Sequence, residues 1–271
     1  MSTMSPLPPY ANENDARRAL IEACLQFAAL GLNQGKSGNA SLRWRRSAED
    51  GMLVTPSGLA YERTQIDDLV WVPLMQPASA LAPSHAASVA AAAVDPASGQ
   101  ATGPEDDASP PALPLSPPSR FDGRRVPSSE WRMHLDIYRV RPEVGAVVHV
   151  HSPYATTLAC LPAIQAAGIP AFHYMIAVAG GHDIRCARYA TFGTQALSEA
   201  ALVALSDRRA CLLANHGQMA LGADLPQALS LALEVESLSR QYLQALQVGQ
   251  PVVLPDDEMA RVLEAFARYG R

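Results

Sequence analysis

The sequence predicts an α/β fold built in layers, of the α+β kind, with a central and mostly antiparallel sheet flanked by helices. Three observations carry this expectation. Short apolar runs of strand length recur along the chain. The first two of them are separated by a short charged turn, as an antiparallel pair allows. From residue 145 onward such runs alternate with longer stretches whose apolar residues fall at helical spacing. With 271 residues, 48% apolar and 17% charged, the chain can bury a core without staples and is read as a single domain.

Taken in order, residues 1–11 are expected to be a flexible terminus. Asn14 or Asp15 is expected to cap a first helix, with an apolar stripe of Ala19, Leu20, Cys24, Leu25, Phe27, Ala28 and Leu32. Residues 33–41 form a small glycine-rich polar loop. Such loops can turn backbone N–H groups toward an anion, although most are simple turns, and the spacing is not that of a Walker A loop. Residues 41–44 and 52–55 read as strands, 55–58 as a second tight loop with hydroxyls, and 67–72 as a third strand ended by Pro73. Residues 76–123 are rich in Ala, Pro and Ser. They are read as an insertion largely without regular structure, with a short helix near 86–94.

A helix is expected to start at Glu130, just after Ser128 and Ser129, and to run through Tyr138, followed by a strand over 145–151. A helix over 156–161 is limited by Pro162. An apolar run over 171–178 is broken by Gly180 and Gly181. A helix over 194–206 is capped by Thr191 or Thr194, and 210–214 is a short buried strand. Residues 226–248 form the clearest helix, mixing a core stripe with acidic positions such as Glu236. A final helix over 256–269 carries acids in its first turn, as the helix dipole prefers.

A net charge of −5 speaks against a nucleic-acid surface. The four cysteines lie far apart with no Cys-x-x-Cys pair, so reduced, mostly buried thiols are expected. The N-terminus lacks the apolar core of a signal peptide, and no run of about 18 apolar residues appears. A cytoplasmic protein with no membrane association is the expectation.

Candidate chemistry concentrates between residues 128 and 154. His149 and His151 are separated by one residue, so on a strand both imidazoles leave the same face and could share a metal. His216 follows another strand-like run. Three imidazoles are a donor set that leaves a catalytic zinc one open position. His-x-His is also often incidental, and His85, His134, His173 and His182 show that histidine is not confined to one place. Glu130 at a helix start either caps that helix or, beside a cation, acts as a general base. Ser128 and Ser129, with loops 35–39 and 55–58, offer hydroxyl and N–H donors suited to a phosphate next to a metal. His134 shares a helical face with Glu130 and is read as supporting or packing.

These pieces together resemble the class II aldolase/adducin family. The matching motifs are Gly31-Leu-Asn-Gln-Gly35 with Gly38-Asn39, Val54-Thr-Pro-Ser-Gly58, Pro127-Ser-Ser-Glu-Trp-Arg132 and Val147-Val-His-Val-His151. They continue with His173-Tyr-Met-Ile176, Ala179-Gly-Gly181, Tyr189-Ala-Thr-Phe-Gly-Thr194, Asn215-His-Gly217 and Tyr269-Gly270. The resemblance covers residues 15–270 apart from the insertion. It implies one zinc ion per subunit, held by His149, His151 and His216 with Glu130 as a fourth ligand. It implies a substrate phosphate among Asn39, Ser57, Gly58, Ser128 and Ser129. It implies a homotetramer with active sites at subunit interfaces, Tyr174 reaching a neighbour's site and Tyr269 lying near the same entrance.

The implied reaction is reversible cleavage of a ketose 1-phosphate, with L-fuculose 1-phosphate first, to dihydroxyacetone phosphate and L-lactaldehyde. The intermediate would be a metal-stabilised enediolate, so no lysine Schiff base is needed. Tyr174 would exchange the proton of the C4 oxygen and Glu130 that of the enediolate carbon. Another sugar-phosphate lyase, an epimerase, a dehydratase or a sugar-acid-phosphate decarboxylase could use the same scaffold. An adducin-like assembly domain would lack the histidine set that this chain keeps. Two departures stand out. Lys36 occupies a place where a small hydroxyl or Ala is commoner, and the insertion replaces a shorter turn.

Overall fold

The structure, a computed structural model, describes residues 10–47, 49–75 and 120–268. The expectations for residues 1–9 and 76–119, including the helix near 86–94, lie outside the described residues, as does the placement of Tyr269.

The first helix, α1, spans Glu13–Ala29. Asn12, rather than Asn14 or Asp15, caps it by accepting a hydrogen bond from the Asp15 N–H at 3.0 Å. Strands β1 (Asn39–Arg46) and β2 (Glu49–Val54) pair antiparallel, and β3 (Val70–Pro73) joins the far side of β2. The expected strand over 67–72 begins later, because Ile66–Asp68 forms a 3-10 turn closed by reciprocal bonds between Gln65 and Asp68. Helix α2 (Trp131–Val140) precedes β4 (Ala146–Val150), and α3 (Pro153–Ala159) follows it directly. Pro162 both limits α3 and opens α4 (Pro162–Ala167), a position where its missing N–H has no helical partner to lose.

Short strands β5 (Ile169–Pro170) and β6 (Asp183–Ile184) form a separate ribbon. The apolar run after residue 171 becomes a 3-10 helix over Tyr174–Ala179. Then come β7 (Cys186–Ala187), α5 (Gln195–Ala204) capped by Thr194, β8 (Ala210–Leu213) and β9 (Gly217–Gly222). Helices α6 (Leu225–Val248) and α7 (Asp256–Arg268) end the described chain.

The main sheet has seven strands in the order β3-β2-β1-β4-β9-β8-β7. Every neighbouring pair is antiparallel except β7 with β8, so the expected layered fold holds. Sheet alternation splits the core in two. Ala146, Val148 and Val150 of β4 pack with α1, α3 and α6, while Val147 faces α2 and α5 on the other side. A central strand buried on both faces must be apolar throughout. His149 is the exception in β4, and it is fully buried. All four cysteines are free thiols; Cys24 and Cys211 are buried, but Cys160 is exposed, so the thiols are less uniformly buried than expected. Among the described residues, no helix is long and apolar enough to cross a membrane.

One glycine in this frame tests the packing. A Cβ at Gly51 on β2 would lie 2.3 Å from the indole of Trp71, which is fully buried. Gly51→Ala should therefore lose about 1–3 kcal/mol through overpacking, read as a lower urea midpoint. An unchanged midpoint would mean that the indole moves aside freely.

Candidate metal centre and active site

The site is built around the end of β4. His149 sits opposite Asn39 of β1 and Met219 of β9. His151 follows just past the strand and leaves the same face, as its two-residue offset requires. His216 lies in the tight turn between β8 and β9. Asn215 takes φ +54° there, a left-handed conformation that Asn tolerates better than most residues. The next position needs glycine, since a Cβ at Gly217 would stand 2.5 Å from the Val150 carbonyl oxygen. That close approach brings His216 against His151.

The three imidazoles form a near-equilateral cluster. Their ring centroids are 4.8 or 4.9 Å apart in each pair, and the ring planes are steeply inclined to one another. Nε2 of His149 lies 3.0 Å from Nε2 of His151. Glu130 closes the cluster, with one carboxylate oxygen 3.1 Å from His149 Nε2 and the other 3.1 Å from His216 Nε2. All four donor atoms lie within 4.8 Å of one another.

This geometry fits a divalent cation. Ligand atoms at about 2.0–2.1 Å around a tetrahedral zinc stand roughly 3.3 Å apart, close to the spacings here. Two ring nitrogens 3.0 Å apart cannot both present lone pairs without a proton or a cation between them. Glu130 Oε1 is buried and receives no well-aligned hydrogen bond. His149 Nδ1 donates to the Gln218 carbonyl oxygen at 2.9 Å, which fixes the ring and leaves Nε2 for a metal.

Electrostatics within the cluster are strongly mutual. Burial opposes ionisation of Glu130, but His149 and His216 override it and hold the carboxyl well below its usual range. For His149 burial pulls the pKa down, yet the Glu130 carboxylate outweighs it and the net direction is upward. Burial, with His149 and His216 nearby, pushes His151 down to about 4. His151 is therefore a neutral imidazole at neutral pH, the form that binds metal.

Glu130 does not do what an acid at a helix start usually does. It occupies the cap position of α2, but its side chain makes no capping bond and turns to the histidines. A buried chain of hydrogen bonds holds it there. Asn39 Nδ2 donates to Glu130 at 3.0 Å, and Asn39 Oδ1 meets His134 Nε2 at 2.5 Å. His134 Nδ1 meets the Ser41 hydroxyl at 2.7 Å, and that hydroxyl meets Tyr138 Oη at 2.9 Å. A carboxylate only accepts, so the Asn39 amide has one possible orientation, and His134 must carry its proton on Nε2. Burial, with His149 adding to it, lowers His134 to about 3, so the ring stays neutral. The supporting role expected of His134 is thus specific: it orients the amide that orients Glu130.

A cleft of about 330 Å³ opens above the cluster. Asn39, Ser57, Gly58, Ser128 and Ser129 line it together with Glu130, His151 and His216, so the residues expected for phosphate and metal meet at one place. The Asn39 side chain faces inward to Glu130 and His134 rather than toward the cleft's other donors. Tyr174 does not reach this cleft within its own chain. Its ring is about half exposed, stacked on His173 and on Phe266 of α7.

Several residues take roles that the sequence alone did not assign to them. Asn33 accepts from the His151 N–H at 3.2 Å. Glu236 accepts from the N–H groups of Tyr154 and Ala155, both at 2.9 Å, and so ties the start of α3 to α6. Its acid within an apolar stripe was the available signal. Tyr189 and Phe192 line the cleft with largely exposed rings.

The family model described as Class II Aldolase and Adducin N-terminal domain matches residues 18–243. The chain belongs to the class II aldolase and adducin family. Among its relatives is the 5-methylthioribulose-1-phosphate/5-deoxyribulose-1-phosphate aldolase of Rhodospirillum rubrum, 44% identical over 94% of this chain and 92% of that protein. The L-fuculose phosphate aldolase of Escherichia coli is 40% identical over 95% of this chain and 96% of that protein. A solved L-fuculose 1-phosphate aldolase superposes with a TM-score of 0.72 at 34% identity, covering 93% of this chain and 96% of the other. This class II aldolase is therefore an enzyme of the lyase class.

Proposed function

We propose that the protein is a zinc-dependent aldolase that reversibly cleaves the C3–C4 bond of a deoxyketose 1-phosphate, releasing dihydroxyacetone phosphate and a short aldehyde. The observation that carries this reading is the convergence of Glu130 with three imidazole nitrogens beside a cleft lined with serine and glycine donors. His149, His151 and His216 hold the metal, and Glu130 is the fourth ligand at rest. A divalent cation there supplies Lewis-acid stabilisation of the negative charge left when the bond breaks.

The chain's own residues do the rest. Ser57, Gly58, Ser128 and Ser129 bind the phosphate and fix C3 over Glu130. Asn39 and His134 hold the Glu130 carboxylate in place while it exchanges a proton at C3. Tyr174, exposed on the surface, serves the site of a neighbouring subunit of a tetramer and exchanges the proton of the C4 oxygen.

The sugar follows from shared chemistry. L-fuculose 1-phosphate, the substrate the resemblance implied, has a terminal methyl group. So does 5-deoxyribulose 1-phosphate, and 5-methylthioribulose 1-phosphate ends in a methylthio group. Cleavage gives L-lactaldehyde, acetaldehyde and methylthioacetaldehyde respectively. The exposed rings of Tyr189 and Phe192 offer such ends an apolar wall. Zinc-loaded enzyme assayed against these three phosphates should release dihydroxyacetone phosphate from at least one, faster than from ribulose 1-phosphate, which ends in a hydroxymethyl. A preference for the hydroxylated sugar would refute the deoxyketose assignment.

A further inference from the structure

The basic residues of this chain are distributed with one exception to a rule. Of its 21 Lys and Arg residues, every one is Arg except Lys36. That single lysine lies in the active-site cleft, where it is the only Lys or Arg among the described lining residues. Its ammonium donates to the Gly58 carbonyl oxygen at 3.1 Å, spanning from the first polar loop to the second. Gly35, beside Lys36, has φ +64°, and Gly58 has φ +68°. A Cβ at either would meet nothing within 4 Å, so both loops face open space rather than packed protein.

We propose that Lys36 is the electrostatic anchor for the substrate's phosphate and sets the preference of the site for a phosphorylated over an unphosphorylated ketose. This rests on the reading that the substrate carries a phosphate. Serine hydroxyls and backbone N–H groups can satisfy phosphate oxygens but bring no net charge. A dianion held by neutral donors alone loses its hydration without a counterion. An ammonium has three donors, and Gly58 uses one, which leaves two for phosphate oxygens.

Lysine also differs in geometry from the chain's usual arginine. Its charge is compact and sits on a flexible stem, whereas guanidinium is a wide planar fork. The Gly58 carbonyl holds the ammonium across the cleft before the ligand arrives.

The lone lysine makes the test clean. Reductive methylation with ¹³C-formaldehyde keeps the positive charge and labels one side chain in the whole protein, besides the terminal amine. Lys36→Ala identifies the lysine signal by its loss. Inorganic phosphate should move that signal in the native enzyme, saturably, and should inhibit cleavage competitively. In Lys36→Ala, phosphate inhibition should weaken and KM for the ketose phosphate should rise, each by about tenfold, the scale of a partly exposed charge-assisted contact. KM should rise by more than kcat falls, and Lys36→Arg should recover only part of the loss.

A lysine signal indifferent to phosphate in the native enzyme overturns the proposal, and that measurement does not require the variant to fold. Equal phosphate inhibition of the two proteins overturns it as well. If the native enzyme cleaves no ketose phosphate while its lysine still responds to phosphate, the substrate assignment fails and the anion site stands. If it cleaves the substrate and the lysine is silent, only the role of Lys36 falls.

Discussion

His149→Ala is expected to lose bound metal and carbon–carbon cleavage together. His149 is fully buried, and its Nε2 faces both His151 and Glu130 at about the spacing of ligands around one ion. Removing it leaves two imidazoles and a carboxylate to share a cation. A Lewis acid contributes several kcal/mol to such a transition state, so kcat/KM should fall at least roughly a thousandfold. Metal analysis of the purified variant is the direct measurement. A variant that retains one zinc per chain would remove His149 from the ligand set, whatever its activity. Circular dichroism separates this from unfolding.

Glu130→Gln is expected to have the second largest effect, with the opposite metal result. The three histidines remain, so zinc should stay bound. The amide can still accept from Asn39, so the local packing survives. What disappears is the ability to take and give a proton, and kcat should drop by about 10²–10⁴. Turnover within a few-fold of the native enzyme would sink the assignment of Glu130 as the proton carrier. The two variants together separate a ligand that is also a base from one that is a ligand alone.

Much of this centre is legible in sequence because strand geometry is simple. A two-residue offset in an apolar run puts His149 and His151 on one face, and β4 obeys it. The Glu130 role was ambiguous for a physical reason. An acid at a helix start is ordinarily explained by the helix itself, and only the contact from Asn39, 91 positions away and itself oriented by His134, turns it elsewhere. Strand β9 was not anticipated, since Gly217–Gly222 mixes Gly and Gln with few large apolar residues. Its Gln218 is nonetheless fully buried and bonded to Ser152 and to the Ala232 carbonyl. The run ending in Val178 was apolar without a decisive period, and His173, accepting from the Met175 N–H, starts a 3-10 helix there.

The first polar loop does not merely stand beside the strand that carries His149; it leans on it. A Cβ at Gly38 would lie 2.8 Å from the His149 carbonyl oxygen, Asn33 holds the His151 N–H, and the Tyr61 hydroxyl secures the Gly38 carbonyl at 2.8 Å. Asn39, the next residue, grips Glu130. An anion held by this loop and a cation held by the histidines would therefore share one mechanical body, and ordering one part would spend conformational freedom that the other no longer has to lose. Their binding free energies would then carry a shared coupling term. Linkage would make that term reciprocal, so that phosphate would tighten the hold on the ion by the same factor as the ion tightened the hold on phosphate.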